Sequence, residues 1–161
     1  MTIQVGDRLP QVTFRVMTPD GPQAKTTDDI FKGRRVALVA VPGAFTPTCH
    51  RNHLPGFIAK SAELKAKGIE AVAVTAVNDV FVMNEWKKAS PGADEFIFLA
   101  DGSAEFAKSV GLSMDGSGHG LGTRSQRYAM IVDDGVVTAL NVEDAPGKAD
   151  VSSAENLLKG L

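Results

Sequence analysis

Apolar residues alternate with polar ones along some stretches of the chain and run unbroken along others, and the two patterns predict different elements. Gln11–Met17 alternates weakly through Val12, Phe14 and Val16, as a strand with one buried face does. Thr18-Pro19-Asp20-Gly21-Pro22 has turn chemistry. Arg35–Val41 is a continuous apolar run bounded by turn signals, which predicts a central strand covered on both faces. Pro42-Gly43 breaks it. Thr46-Pro47 then opens a helix, because Thr suits the N-cap and Pro the first helical position. That helix is predicted to run to about Lys67 and stop at Gly68. Pro55 lies inside it and has no N–H for the carbonyl of Arg51, so a kink or break is expected there.

Ile69–Val77 reads as a second buried strand, and Asp79–Lys88 as an amphipathic helix ending before Ser90-Pro91-Gly92. Phe96–Ala100 is a short strand and Ala104–Val110 a short helix. Met114–Thr123 carries Gly116, Gly118, Gly120 and Gly122 and reads as a loop. Arg127–Val132 and Val136–Asn141 flank Asp133-Asp134-Gly135, a hairpin signal. Ser152–Leu161 is a terminal helix with Ser152 or Ser153 as cap and Leu157 and Leu158 inward. A βαβ unit followed by a hairpin and a last helix predicts an α/β, thioredoxin-like fold. Its central mixed sheet would be flanked by helices. An N-terminal extension and an insertion at about Asp94–Gly111 complete a single domain over residues 1–161.

Composition narrows the function. The 161 residues are 43% hydrophobic and 22% charged, which excludes disorder. With 17 basic and 19 acidic residues the net charge is −2, so nothing points to nucleic acid or to an anionic membrane. The longest apolar run, Val36–Val41, is far short of the roughly 18 residues of a membrane span. The first residues lack a secretory pattern, and a cytoplasmic location is expected. The single cysteine, Cys49, excludes an intramolecular disulfide, a Cys-x-x-Cys pair and a multi-thiolate metal site.

Cys49 falls in the first turn of the predicted helix, at a strand-to-helix junction. Unpaired N–H groups and the positive end of the helix dipole favour a thiolate there. The bland alternative is a small buried hydrophobe. Thr46, three residues earlier, shares its helix face and offers a hydroxyl to the sulfur or to a ligand, or acts as a plain N-cap. Pro42 either walls the sulfur from water or only ends the strand. Cys49 and His53 share a face while His50 points about 100° away. Two ligands on one turn fall short of a zinc site, and no cofactor is expected. For His53 a structural or helix-surface role leads, with a supporting polar role left open. Arg51 points to the opposite side. A cysteine phosphatase would need an arginine where Pro55 stands. Arg124 and Arg127, beside the hairpin strand, are either solvated edge residues or donors to a thiolate and an anionic oxygen. The glycine loop fails the dinucleotide pattern, because residue 123 is Thr. Trp86 reads as core or interface.

Pro42-Gly43-Ala44-Phe45-Thr46-Pro47-Thr48-Cys49 resembles the Pro-x-x-x-Thr-x-x-Cys signature of peroxiredoxins, in the form found in the type five, or type II, subfamily. The likeness extends over Val5-Gly6-Asp7, His53-Leu54-Pro55-Gly56-Phe57, Val77-Asn78-Asp79, Glu85-Trp86, Leu99-Ala100-Asp101, Arg127-Tyr128-Ala129-Met130 and Ala139-Leu140-Asn141-Val142-Glu143. The resemblance implies a thioredoxin-like fold and thiol peroxidase activity on hydrogen peroxide and organic hydroperoxides. By position, Cys49 would be the peroxidatic cysteine. Thr46 would bond the peroxide, Pro42 would shield the pocket, and Arg127 would polarise thiolate and peroxide. Arg124 matches less well, since the family's arginine directly precedes the aromatic that corresponds to Tyr128. The resemblance also implies a homodimer.

Two departures matter. Val74 stands where plant-type relatives carry a second cysteine, and Ser152 and Ser153 stand where animal-type relatives carry a resolving one. A sulfenic acid on Cys49 must then be resolved by an outside thiol, most simply glutathione or glutaredoxin. His50 also replaces the small residue often found after the cysteine. The competing class is a thioredoxin-fold redox sensor or binding module without efficient peroxide turnover.

Overall fold

The computed structural model describes residues 2–161. Seven strands form one sheet: β1 (Thr13–Thr18), β2 (Gly21–Thr26), β3 (Arg35–Ala40), β4 (Ala71–Ala76), β5 (Ile97–Ala100), β8 (Tyr128–Asp133) and β9 (Val136–Val142), in the order β2-β1-β5-β4-β3-β8-β9. A separate ribbon pairs β6 (Ser113–Asp115) with β7 (Thr123–Ser125). β3, β4 and β5 run parallel, while β8 joins β3, and β1 joins β5, in antiparallel register. This is the thioredoxin-like α/β arrangement, with its mixed sheet and the N-terminal β1–β2 hairpin added beyond β5.

The continuous apolar strands are buried on both faces, and each face has its own core. Ala37, Val39 and Val41 pack with Val72, Val74, Ala129 and Ile131 beneath α2 (Leu54–Ala59), α3 (Ser61–Ala66), α4 (Val80–Lys88) and α6 (Ala154–Lys159). Val36, Leu38 and Ala40 pack with Ala73, Tyr128, Met130 and Val132 beneath α1 (Thr27–Phe31) and α5 (Glu105–Ser109). Odd-numbered residues of β3 and β8 therefore face the helix that carries Cys49. The hairpin turn follows its sequence signal. Asp134 (φ 49°) and Gly135 (φ 82°) both take the left-handed conformation, which two-residue hairpins need to match strand twist.

The structure adds elements that periodicity did not predict. β2 is mostly exposed on an edge and lacks alternation. α1 is a five-residue helix held by a capping box between Thr26 and Asp29. The glycine-rich segment is not a bare loop. Gly116 bonds Gly122 across a short ribbon, and a Cβ on Gly116 would stand 2.8 Å from Leu121 Cβ. The distortion expected at Pro55 appears one turn earlier. Cys49–His53 forms a π-helical turn in which the Leu54 N–H reaches back to the Cys49 carbonyl. Widening the turn accommodates the N–H that Pro55 lacks, and the helix breaks later, at Lys60.

Candidate active site

The chain leaves β3 through a tight turn, Pro42 to Thr46, that several neighbours pin. The Ala44 N–H donates to Asn78 Oδ1 at 2.9 Å. Arg124 Nη1 donates to the Pro42 carbonyl at 3.3 Å, and its Nε to the Leu121 carbonyl at 2.9 Å. A Cβ on Gly43 would meet Arg124 Nη1 at 2.8 Å, so the close approach of this arginine requires glycine. Phe45 takes φ 63°, a left-handed conformation that a bulky residue holds only when its surroundings impose it. The Thr46 hydroxyl donates to the Gly43 carbonyl at 2.7 Å instead of capping the helix, and its lone pairs stay able to accept.

This turn delivers Cys49 into the core. The thiol is 0% exposed. Arg127 is 2% exposed, and its Nη2 donates to Cys49 Sγ at 2.8 Å. Nε and Nη2 of the same guanidinium donate to the Pro146 carbonyl at 3.1 and 3.0 Å, and Nη1 bonds His53 Nδ1 at 3.0 Å. None of the four ion pairs among the described residues involves Arg127, so its charge meets a sulfur, an imidazole and a carbonyl.

His53, also 2% exposed, completes the cluster. Its Nε2 lies 2.9 Å from the Ser152 carbonyl. Arginine only donates and a carbonyl only accepts, so the ring is neutral with its proton on Nε2. Burial, reinforced by the Arg127 charge, lowers its pKa from 6.5 to about 4. The Glu143 carboxylate sits behind this group. Burial pushes its pKa up, but hydrogen bonds from Ser152 and Asp150 prevail and hold it below the ordinary carboxylate value. The buried Trp86 ring donates from Nε1 to His50 Nδ1 at 3.0 Å, which fixes the residue after the cysteine. A cavity of about 490 Å³ lies elsewhere, between the β1–β2 turn and α4, and no residue of the thiol cluster lines it.

Cys49, Arg127 and His53 thus come together. Pro42 is buried and Thr46 half-buried in the adjoining turn, while Arg124 buttresses that turn without bonding the sulfur. Sequence reasoning left His53 open and missed Pro146 and Glu143. The one available signal was the position of Glu143 just past a hairpin strand, opposite Arg127.

A cysteine hydrogen-bonded by a buried arginine at the head of a helix in a thioredoxin-like sheet defines a redoxin, and residues 4–158 match the Redoxin family. The chain belongs to the peroxiredoxins, as a member with a single cysteine, and is a thiol peroxidase. It is 48% identical to peroxiredoxin-2E-2, chloroplastic, of Oryza sativa subsp. japonica, over 99% of this chain and 73% of that one. It is 46% identical to peroxiredoxin-2C of Arabidopsis thaliana, over 99% and 98%. Reduced Prx3 of Vibrio vulnificus in complex with H2O2 superposes with a TM-score of 0.92 at 49% identity, covering 98% of this chain and 95% of that one.

The His53 geometry sets a pH dependence. Between pH 6.5 and about 4 the unfolded chain takes up a proton at this residue and the native chain does not, so stability falls as pH drops through that window. His53→Gln keeps one donor and one acceptor without the titration. Its unfolding free energy, from urea denaturation, should fall less over the window than that of the wild type, by at most about 3 kcal/mol. Equal losses in the two proteins would refute the assignment.

Proposed function

We propose that this peroxiredoxin reduces hydrogen peroxide and alkyl hydroperoxides through a sulfenic acid on Cys49, and that glutathione or glutaredoxin regenerates the thiol. The observation that carries the reading is the 2.8 Å contact from Arg127 Nη2 to Cys49 Sγ. The sulfur attacks one peroxide oxygen, the O–O bond breaks, and its electron pair leaves on the other oxygen as hydroxide or alkoxide, which takes up a proton. Arg127, the helix N-terminus and Thr46 supply positive charge and hydrogen bonds where the negative oxygen develops. Pro42 shields the pocket. That the similar Vibrio vulnificus Prx3 was captured with hydrogen peroxide supports this substrate.

Recycling follows from chain chemistry. With no second cysteine, the sulfenic acid condenses with an outside thiol, releasing water and leaving a mixed disulfide. A second thiol exchanges it off. Because Cys49 is 0% exposed, the turn carrying it must open to admit glutathione, although peroxide is small enough to reach the sulfur with less movement. A cytoplasmic location belongs to the same proposal, since glutathione-dependent recycling needs a reducing compartment. So does a homodimer. Phe45 and Phe81, 46% and 63% exposed, are large apolar side chains that a second copy would cover.

Four measurements test the reading. Arg127→Ala should slow peroxide oxidation of Cys49 by about a hundredfold and Arg124→Ala by less than about tenfold, with Cys49→Ser as the inactive control. A larger loss from Arg124→Ala, or turnover by Cys49→Ser, would overturn the assignment. Intact mass spectrometry after one equivalent of peroxide with glutathione should show a single adduct at Cys49. Full turnover with thioredoxin and no glutathione would sink the recycling scheme and leave the peroxidase standing. Light scattering at micromolar concentration should give about twice the 17.0 kDa chain mass, and a monomer mass contradicts the dimer.

A further inference from the structure

One carboxylate oxygen that does not itself bond the sulfur ties down the loop behind Arg127 and His53. Glu143 follows β9 directly, and its N–H donates to the Arg127 carbonyl at 3.0 Å, continuing the β8–β9 ladder by one residue. Residues opposite one another in an antiparallel ladder project to the same face, so the Glu143 carboxylate and the Arg127 guanidinium share a side of the sheet. They do not pair. Glu143 Oε2 instead accepts three hydrogen bonds, from Asp150 N–H (2.7 Å), Ser152 N–H (2.7 Å) and the Ser152 hydroxyl (2.6 Å). The side chain is buried, and so is Ser152.

These bonds close the loop 144–152 into a ring tied at its base. The ring carries the Pro146 carbonyl, which receives two Arg127 donors, and the Ser152 carbonyl, which receives the His53 Nε2 proton. Its Gly147 carbonyl accepts from the Thr48 hydroxyl, at the residue before the cysteine. Both side-chain partners of Arg127 besides the sulfur, Pro146 directly and Ser152 through His53, therefore lie on a loop that Glu143 ties at its base.

We propose that Glu143 is a positioning residue of the peroxidase reaction: its carboxylate clamps the 144–152 loop so that the Pro146 and Ser152 carbonyls hold Arg127 and His53 against the Cys49 sulfur. Pairing with the loop rather than with Arg127 has a second consequence. The guanidinium keeps its full charge for the sulfur and for the leaving oxygen. The proposal rests on Arg127 acting on Cys49 as described above.

The test separates positioning from general stability by comparing two electrophiles. Peroxide oxidation uses the guanidinium to stabilise the departing oxygen, whereas alkylation by iodoacetamide of a fully ionised thiol does not. At a pH where the thiol is ionised in every variant, Glu143→Ala should slow peroxide oxidation by about tenfold or more, while alkylation slows by less than about threefold. Glu143→Gln, which keeps an oxygen acceptor for the two backbone donors, should recover most of the loss. Should Glu143→Ala fail to fold, Ser152→Ala decides: it deletes one of the three donors, keeps both loop carbonyls, and should slow peroxide oxidation by about threefold with alkylation unchanged. Folded variants whose two rates stay at wild-type values, or fall in the same proportion, overturn the clamp. Arg127→Ala is the reference in the same assay. If it also leaves peroxide oxidation unchanged, the fault lies in the reading of the site and not in the clamp alone.

Discussion

A buried guanidinium with no carboxylate beside it is the constraint on which this structure turns. Taking a charge out of water is expensive unless hydrogen bonds replace its hydration. Arg127 meets that demand with the Pro146 carbonyl, the His53 ring and the Cys49 sulfur. The carbonyl is neutral, and His53 stays neutral down to about pH 4. The sulfur is the only one of the three partners able to carry the balancing negative charge. The same hydrogen bonds that make burial of the arginine tolerable therefore fix a positive charge 2.8 Å from the reacting sulfur, and chemistry and fold stability ask for the same geometry.

The sheet brings the two together from residues 78 positions apart. β3 and β8 are hydrogen-bonded neighbours, with Ala40 opposite Tyr128 at the end of the ladder where the cysteine helix begins. Alternation puts residues 127, 129 and 131 on the face covered by that helix. A shift of one residue in the β3–β8 register would turn Arg127 to the opposite face, where Tyr128 now lies, and remove the charge from the sulfur. That register is pinned at the far end of the ladder, where the Gly33 N–H donates to Asp134 Oδ1 at 2.6 Å and the Asp134 N–H donates to the Arg34 carbonyl at 3.0 Å. The helix end is set by the turn from Pro42 to Thr46, held by Asn78 and Arg124.

Much of this was legible in the chain. Unbroken apolar runs marked the central strands, Asp133-Asp134-Gly135 marked the hairpin, and Thr46-Pro47 marked the start of the helix that carries Cys49. Peripheral elements were not legible. β2 sits on an edge without alternation, α1 is too short for a periodic signal, and β6 and β7 are three-residue strands within a glycine-rich stretch. Pro55 announced a distortion but not its form. Whether a missing N–H is absorbed by a π-turn or a break depends on how the flanking Leu54 and Phe57 pack, both of them buried in the core.

What the sequence determined by itself was local: where strands and helices begin, that a lone cysteine stands at a helix N-terminus, and that no second thiol can resolve it. These follow from periodicity, capping chemistry and residue counts, which need no knowledge of distant neighbours. The tertiary structure alone decided the partners. Spacing left Arg124 and Arg127 equal and only the family resemblance favoured Arg127; nothing in the chain showed that His53 spans from that arginine to the Ser152 carbonyl, or that Glu143 turns away from Arg127 to tie down the loop behind it. Each is a hydrogen bond between groups far apart in sequence. Such bonds are settled by strand register and by the requirement that every buried polar group find a partner once the core has closed.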